Sequence, residues 1–273
     1  MNTFSVLSWN LMGRSGTAWW IPSLWPVSFA KIFAYLRKHQ ADVVCLQEFP
    51  LEEYEEKLKQ LEALGYRVLL GESFKTPRSS AVLTLTRHTV GAHGENIYVL
   101  PQDMGNQFVD EDSRVLWFDC VVGEKTVRIY ACHFAIRGLG IRERLWVLDR
   151  VLEHAKGTKL PTIICGDMNT VVPKKGWRRW VALHGHKIEV ASQMIDGKMY
   201  EGAETELFAK YAEAAGFLET FPLGQPTWAL PYTSIEYTRL KLDWVFTKGL
   251  EIKSASMGPY ITDHRPVHAK FAR

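Results

Sequence analysis

Eight polar residues sit at the ends of apolar, strand-like runs. Asn10 closes SVLSWN, Glu48 follows DVVCLQ, and His133 lies in RIYACHF. Asp167 and Asn169 close TIICGDMN, Asp243 lies in LDWVF, and Asp263 and His264 precede the last run in ITDHRPV. Each has an ordinary use as a cap, turn or core residue. Together they lie where an α/β fold opens its binding crevice, which points to a catalytic site. A glutamate, aspartates and amide oxygens form a hard oxygen donor set suited to Mg²⁺ or Mn²⁺. Two histidines with carboxylates available can handle protons or offer positive charge to a phosphoryl oxygen.

Other chemistries lack their signatures. There is no thiolate cluster or H-E-x-x-H for zinc, no G-x-S-x-G elbow and no G-x-x-x-x-G-K-[ST] loop. Metal-assisted hydrolysis of a phosphate ester remains. In IICGDMNT, Gly166 is expected to supply a turn. Asp167 and Asn169, two apart on an extended segment, would then face one spot beyond the strand.

The elements that position these residues follow from periodicity. DVVCLQ and TIIC are apolar on both faces, the pattern of central strands covered from both sides. Strands are expected at 4–10, 42–47, 66–70, 81–86, 97–100, 115–122, 126–133, 162–165, 242–247 and 267–271. Helices are expected at 27–40, 51–64, 140–156 and 204–215. In the third helix Ile141, Leu145, Leu148 and Leu152 form an apolar stripe, with Arg142, Glu143, Arg144 and Glu153 outside. No linker, repeat or low-complexity tract divides the 273 residues, so one α/β domain over 1–273 is expected.

Cys45, Cys120, Cys132 and Cys165 lie in apolar runs without C-x-x-C spacing and read as small buried hydrophobes. The chain opens on strand-like residues and no apolar run approaches a membrane span, so a cytoplasmic setting without a leader is expected. A net charge of +3 allows an anionic partner without requiring one.

The pieces LSWNL, DVVCLQE, ACHF, ICGDMN, LDWVF and TDHRPV occur in the order seen in the endonuclease/exonuclease/phosphatase superfamily, and the sequence resembles that family across positions 8–267. The resemblance implies a four-layer α/β/β/α sandwich of two facing mixed sheets, with the site at the strand ends. It implies that Glu48 ligates the metal, helped by Asn10 and Asp263. Asp167 would orient or deprotonate water, and Asn169 would support the phosphoryl oxygens. His264, oriented by Asp243, would contact the phosphate or move a proton, and His133 would face the scissile phosphate or leaving oxygen. Arg114 in EDSRVLWF sits where several members carry a phosphate-binding arginine.

The substrate is less legible. ACHFAIRG and QEFP depart from the abasic-site repair members, and GDMNTV and LKLDWVF from the inositol phosphatases. In PKKGWRRW, Lys174, Lys175, Arg178 and Arg179 are placed to meet backbone phosphates while Trp177 or Trp180 stacks on a base; an amphipathic helix with its tryptophans inward is the alternative. TAWWIPSLWPVSF, residues 17–29, reads as a stacking platform, a lid, a membrane-interface anchor or packed core. The expectation is a monomeric nuclease acting on DNA or RNA, without an obligate protein partner. A phospholipid (sphingomyelinase-like) or small-molecule phosphoesterase is the alternative, for which the tryptophan-rich segment would meet membrane lipid.

Overall fold

A computed structural model describes residues 3–11, 28–49, 54–71, 82–99, 113–134, 141–170, 194–195, 198–199, 204–223, 225–229 and 239–272. The strands are β1 (Thr3–Asn10), β2 (Val43–Gln47), β3 (Arg67–Leu70), β4 (Leu83–Thr86), β5 (Thr89–Tyr98), β6 (Ser113–Val122), β7 (Lys125–His133) and β8 (Thr162–Asp167). They continue with β9 (Met194–Ile195), β10 (Lys198–Met199), β11 (Leu218–Glu219), β12 (Trp228–Ala229), β13 (Arg239–Leu240), β14 (Asp243–Lys248), β15 (Ile252–Met257) and β16 (Val267–Ala272). The helices are α1 (Phe29–His39), α2 (Tyr54–Glu62), α3 (Ile141–Lys156) and α4 (Glu204–Ala214).

Among the described residues two six-stranded mixed sheets form, in the orders β15-β16-β1-β2-β4-β3 and β11-β14-β8-β7-β6-β5. Each is built around one parallel pair. β1 and β2 are joined through α1, and β7 and β8 through α3. Parallel neighbours need such a crossover, which explains why helix-period sequence falls between those strands. The remaining neighbours in both sheets are antiparallel.

Three apolar clusters separate four layers. Ile32, Leu36 and Leu61 from α1 and α2 pack with Leu7, Trp9, Val44 and Leu46 on the outside of the first sheet. Leu148, Leu152 and Phe208 from α3 and α4 pack with Tyr130, Ile164, Trp244 and Phe246 on the outside of the second. Between the sheets lie Val6, Val43, Phe118, Ile129, Ile163, Val245 and Phe271. This is the expected α/β/β/α sandwich, and the two-sided apolar runs are its central strands. All four cysteines are free and buried. No helix among the described residues is long and apolar enough to cross a membrane.

Three expectations are corrected. Arg144 is not outside on α3 but 2 % exposed, because Glu204 on α4 receives it through two hydrogen bonds, Nε to Oε1 at 2.5 Å and Nη2 to Oε2 at 2.9 Å. The strand expected at 97–100 is the end of the longer β5, whose polar sequence and register shift between Val90 and His93 obscure the alternation. Gly166 makes no turn. It lies inside β8 with φ +141°, paired with Cys132, and a Cβ there would overlap the Cys132 carbonyl oxygen. Glycine is required for close approach of two backbones, one residue before Asp167.

Candidate active site

Register alone assembles much of the site. Arg114 of β6 pairs with His133 of β7, His133 with Asp167 of β8, and Asp167 with Asp243 of β14. Directly paired residues project to the same face, so the four side chains form one row, about 14 Å long at the usual strand spacing. That face looks inward: Ile129, Ile163 and Val245, further along the same strands, belong to the core between the sheets. The inner face therefore changes from apolar to polar at the strand ends, where the sandwich stops.

The first sheet meets this row through Asn10. Its Nδ2 donates to Asp167 Oδ2 at 2.8 Å and to Glu48 Oε1 at 3.2 Å. His133 Nε2 stands 3.5 Å from Glu48 Oε1 and 4.0 Å from Asp167 Oδ2. His264 Nδ1 is 2.8 Å from Asp243 Oδ2, and its Nε2 is 3.8 Å from Asp167 Oδ2. Asn169 donates Nδ2 to Phe134 O at 2.6 Å and its backbone N–H to Asp167 Oδ1 at 2.9 Å. Both Glu48 and Asn169 adopt φ +49°, a left-handed conformation uncommon outside glycine that Gln40 also takes at the end of α1.

The electrostatics separate the acids. Burial alone would raise Glu48, but its hydrogen bond to His133, the charge of His133, the Asn10 amide and the charge of His264 hold it at about 2. Its side chain is 25 % exposed, against 1 % for Asp167 and 0 % for Asp243. Burial raises Asp167 to about 6, with Asp243 adding to the rise and the two histidines opposing it. Burial disfavours the charged form of His264, yet Asp243, Asp263 and Asp167 together raise it to about 10. Burial also raises Asp263.

The donor set fits a hard divalent cation. Among the described residues Asp243 Oδ1 and Asp263 Oδ1 are buried without a hydrogen-bond partner, and Glu48 is an ionised carboxylate reachable from solvent. Ligand-type atoms of Asp167, Asp243 and His264 lie within 4.8 Å of one another. That trio is less suited, because His264 Nδ1 and Asp243 Oδ2 already satisfy each other.

Asn10, Glu48, Arg114, His133, Asp167, Asn169, Asp243, Asp263 and His264 thus lie in or beside one cluster, with Arg114 half-buried at the far end of the row. Lys174, Lys175, Trp177, Arg178 and Arg179 lie outside the described residues, as do residues 17–27 of the tryptophan-rich segment. Phe29, from the end of that segment, packs edge-on against Phe49, beside Glu48.

Two buried threonines escaped the sequence reading. Thr262 Oγ1 accepts from Trp9 Nε1 and His264 N and donates to Asn10 O at 3.0 Å. Thr227 Oγ1 accepts from the backbone N–H of Leu242 and Asp243. Trp228, next in the chain, donates Nε1 to Asp263 Oδ2 at 2.8 Å. Thr262 had a signal, lying inside ITDHRPV. Trp228 sits on a two-residue strand, too short to show a period, and Thr227 lies just before it.

Residues 7–264 match the family model described as the endonuclease/exonuclease/phosphatase family. No curated protein matches the sequence at a significant level. Similar solved structures include an endonuclease/exonuclease/phosphatase from Beutenbergia cavernae DSM 12333, at 18 % identity and TM-score 0.72, covering 99 % of this chain and 72 % of that one. D. rerio TDP2 complexed with single strand DNA product aligns at 17 % identity and TM-score 0.68 over 100 % of both chains. ANGEL2, a 2',3'-cyclic phosphatase, aligns at 16 % identity and TM-score 0.64 over 98 % of this chain and 95 % of its own. At these identities the likeness shows the fold.

Proposed function

The chain belongs to the endonuclease/exonuclease/phosphatase family of phosphoester hydrolases, and from that premise we propose that it is a divalent-metal-dependent phosphodiesterase cleaving nucleic acid, DNA before RNA. The observation that carries this reading is the single row Arg114–His133–Asp167–Asp243, closed from the other sheet by Asn10 and Glu48 and from above by His264.

Glu48, Asn10 and Asp263 would hold Mg²⁺ or Mn²⁺. When bound, such an ion offsets charge on the phosphoryl oxygens and polarises water. Asp167, raised to about 6 and fixed by Asn10 and the Asn169 N–H, is the base that orients and deprotonates water. Asn169, pinned to Phe134 O, supports the phosphoryl oxygens. His264 keeps its proton at neutral pH and, with Asp243 on Nδ1, presents a cationic Nε2 to the phosphate. His133 faces the leaving oxygen, and Arg114 extends the positive side of the row.

Nucleic acid as substrate is supported by the cations and tryptophans of PKKGWRRW, whose Lys174, Lys175, Arg178 and Arg179 would meet backbone phosphates while Trp177 stacks. The fold likeness to TDP2 complexed with single strand DNA product supports it as well. The test is cleavage of plasmid and single-stranded DNA in Mg²⁺ or Mn²⁺, with EDTA and Asp167→Ala as controls. Cleavage lost in both controls is expected. Intact DNA alongside turnover of bis-p-nitrophenyl phosphate would overturn the substrate and move it to lipid or small phosphate esters.

A further inference from the structure

We propose that Thr227 and Trp228 are positioning residues of this active centre, one for the Asp243–His264 pair and the other for Asp263. This rests on the phosphodiesterase reading above. Asp243 and His264 are brought together at 2.8 Å from two separate pieces of chain, the start of β14 and the segment before β16. Thr227 ties both. Its hydroxyl accepts the N–H of Leu242 at 3.0 Å and of Asp243 at 2.9 Å, filling both acceptor positions of a hydroxyl. Its backbone carbonyl accepts the N–H of Arg265, the residue after His264, at 2.7 Å, and its own N–H donates to Leu240 O at 2.9 Å. The side chain is fully buried, so no water can replace these bonds.

Trp228 continues the clamp. It forms a β-bridge with His264, and its neighbour Ala229 donates its N–H to Asp263 O at 3.1 Å. Its indole Nε1 holds Asp263 Oδ2 at 2.8 Å, while Oδ1 of the same carboxylate has no partner among the described residues. One oxygen is fixed by a rigid donor and the other is presented. This is how a partner behind a ligand sets the direction of its free lone pairs. Three consecutive residues, 227–229, thereby hold the backbone that carries Asp243, Asp263 and His264, which lie 16 to 37 positions further along the chain, and Trp228 also holds the Asp263 side chain. A threonine is needed because valine, of nearly the same shape, leaves two buried N–H groups without an acceptor.

The experiment compares Thr227→Val, Thr227→Ser and Trp228→Phe with the wild-type chain. It reads kcat and KM on single-stranded DNA, Mn²⁺ affinity by electron paramagnetic resonance, and the low-field NMR resonance of the His264 Nδ1 proton. Thr227→Val is expected to displace or abolish that resonance and lower kcat roughly ten- to a hundredfold, leaving KM nearly unchanged. Thr227→Ser is expected to restore the resonance and most of the rate. Trp228→Phe keeps an aromatic ring, smaller than indole, and removes the N–H donor, so Mn²⁺ binding should weaken roughly ten- to a hundredfold with a much smaller change in the unfolding midpoint. Should Thr227→Val not fold, Trp228→Phe decides by its Mn²⁺ affinity. Wild-type resonance, rate and Mn²⁺ affinity in the variants, while His264→Ala abolishes cleavage, would overturn the proposal and leave the phosphodiesterase reading intact. A wild-type chain that cleaves nothing would instead sink the phosphodiesterase reading, with the resonance and Mn²⁺ affinity still deciding the positioning roles.

Discussion

Two regions bury charge, and they do so in opposite ways. Between α3 and α4, Arg144 and Glu204 are 2 % and 0 % exposed and meet in a two-pronged pair, each carboxylate oxygen taking a guanidinium N–H. At the strand ends, three aspartates, Asp167 and Asp243 buried and Asp263 half-buried, crowd around His264, with Asp243 Oδ1 and Asp263 Oδ1 unsatisfied among the described residues. In the first arrangement charge meets charge through two hydrogen bonds, whereas in the second two carboxylate oxygens have no hydrogen-bond partner among the described residues. Burial of charge therefore does not identify function; the distinction is whether the buried groups satisfy one another.

The largest effect that would sharpen this contrast lies in the site. Asp167→Ala should lower cleavage about a hundred- to ten-thousandfold, the range for removing a general base. Circular dichroism should find the fold intact. Full activity in that variant would remove Asp167 from the chemistry. Arg144→Ala should do the reverse, costing about 3–5 kcal/mol by removing the guanidinium that faces the buried Glu204 carboxylate. Denaturant unfolding would measure it, and joint replacement of Arg144 and Glu204 by Met and Leu should recover most of the loss. If the single variant were as stable as wild type, the pair would not be the structural element described. Gly166→Ala should move both readouts: the added Cβ pushes β8 off Cys132 and carries Asp167 with it, so stability and cleavage should fall together.

The smallest effect separates two histidines four residues apart. His264, among three acids, is raised to about 10, so its contribution to stability is present below pH 6.5 and lost as pH rises through 10. His268 is lowered to about 4 by burial and by the charges of Lys270 and His39. Its sign is opposite: stability present above pH 6.5 is lost as pH falls toward 4, because the unfolded chain takes up the proton first. The contribution of this group to the unfolding free energy should therefore fall between pH 6.5 and 4, by no more than about 1.4 kcal/mol per pH unit. His268→Gln should flatten that slope, and an unchanged slope would place the acid sensitivity elsewhere.

What was legible in the sequence follows the same division. The central strands and the polar groups ending them stood out because two-sided apolar runs stop abruptly at Asn10, Glu48 and Asp167, and local contrast survives in one dimension. Arg144 was misread because its partner lies 60 positions away, and an arginine beside an apolar stripe looks solvated until Glu204 is known to face it. The edge strand β15 was missed since IKSASM carries little apolar alternation, four of its six residues being exposed. Gly166 looked like a turn because the sequence does not announce that another backbone passes against it. Thr227 and Trp228 left no pattern, since their roles lie in hydrogen bonds to residues far along the chain.

The most direct test measures Asp167→Asn for both properties on one preparation, its Mg²⁺-dependent cleavage of single-stranded DNA and its thermal midpoint. The expected result is cleavage lost with the midpoint within about 4 °C of wild type, the shift from roughly 1 kcal/mol in a chain of this size. Retained cleavage, or a midpoint lowered by on the order of 10 °C as expected for Arg144→Ala, would contradict the view that the strand-end acids are held for chemistry and the interhelical pair for stability.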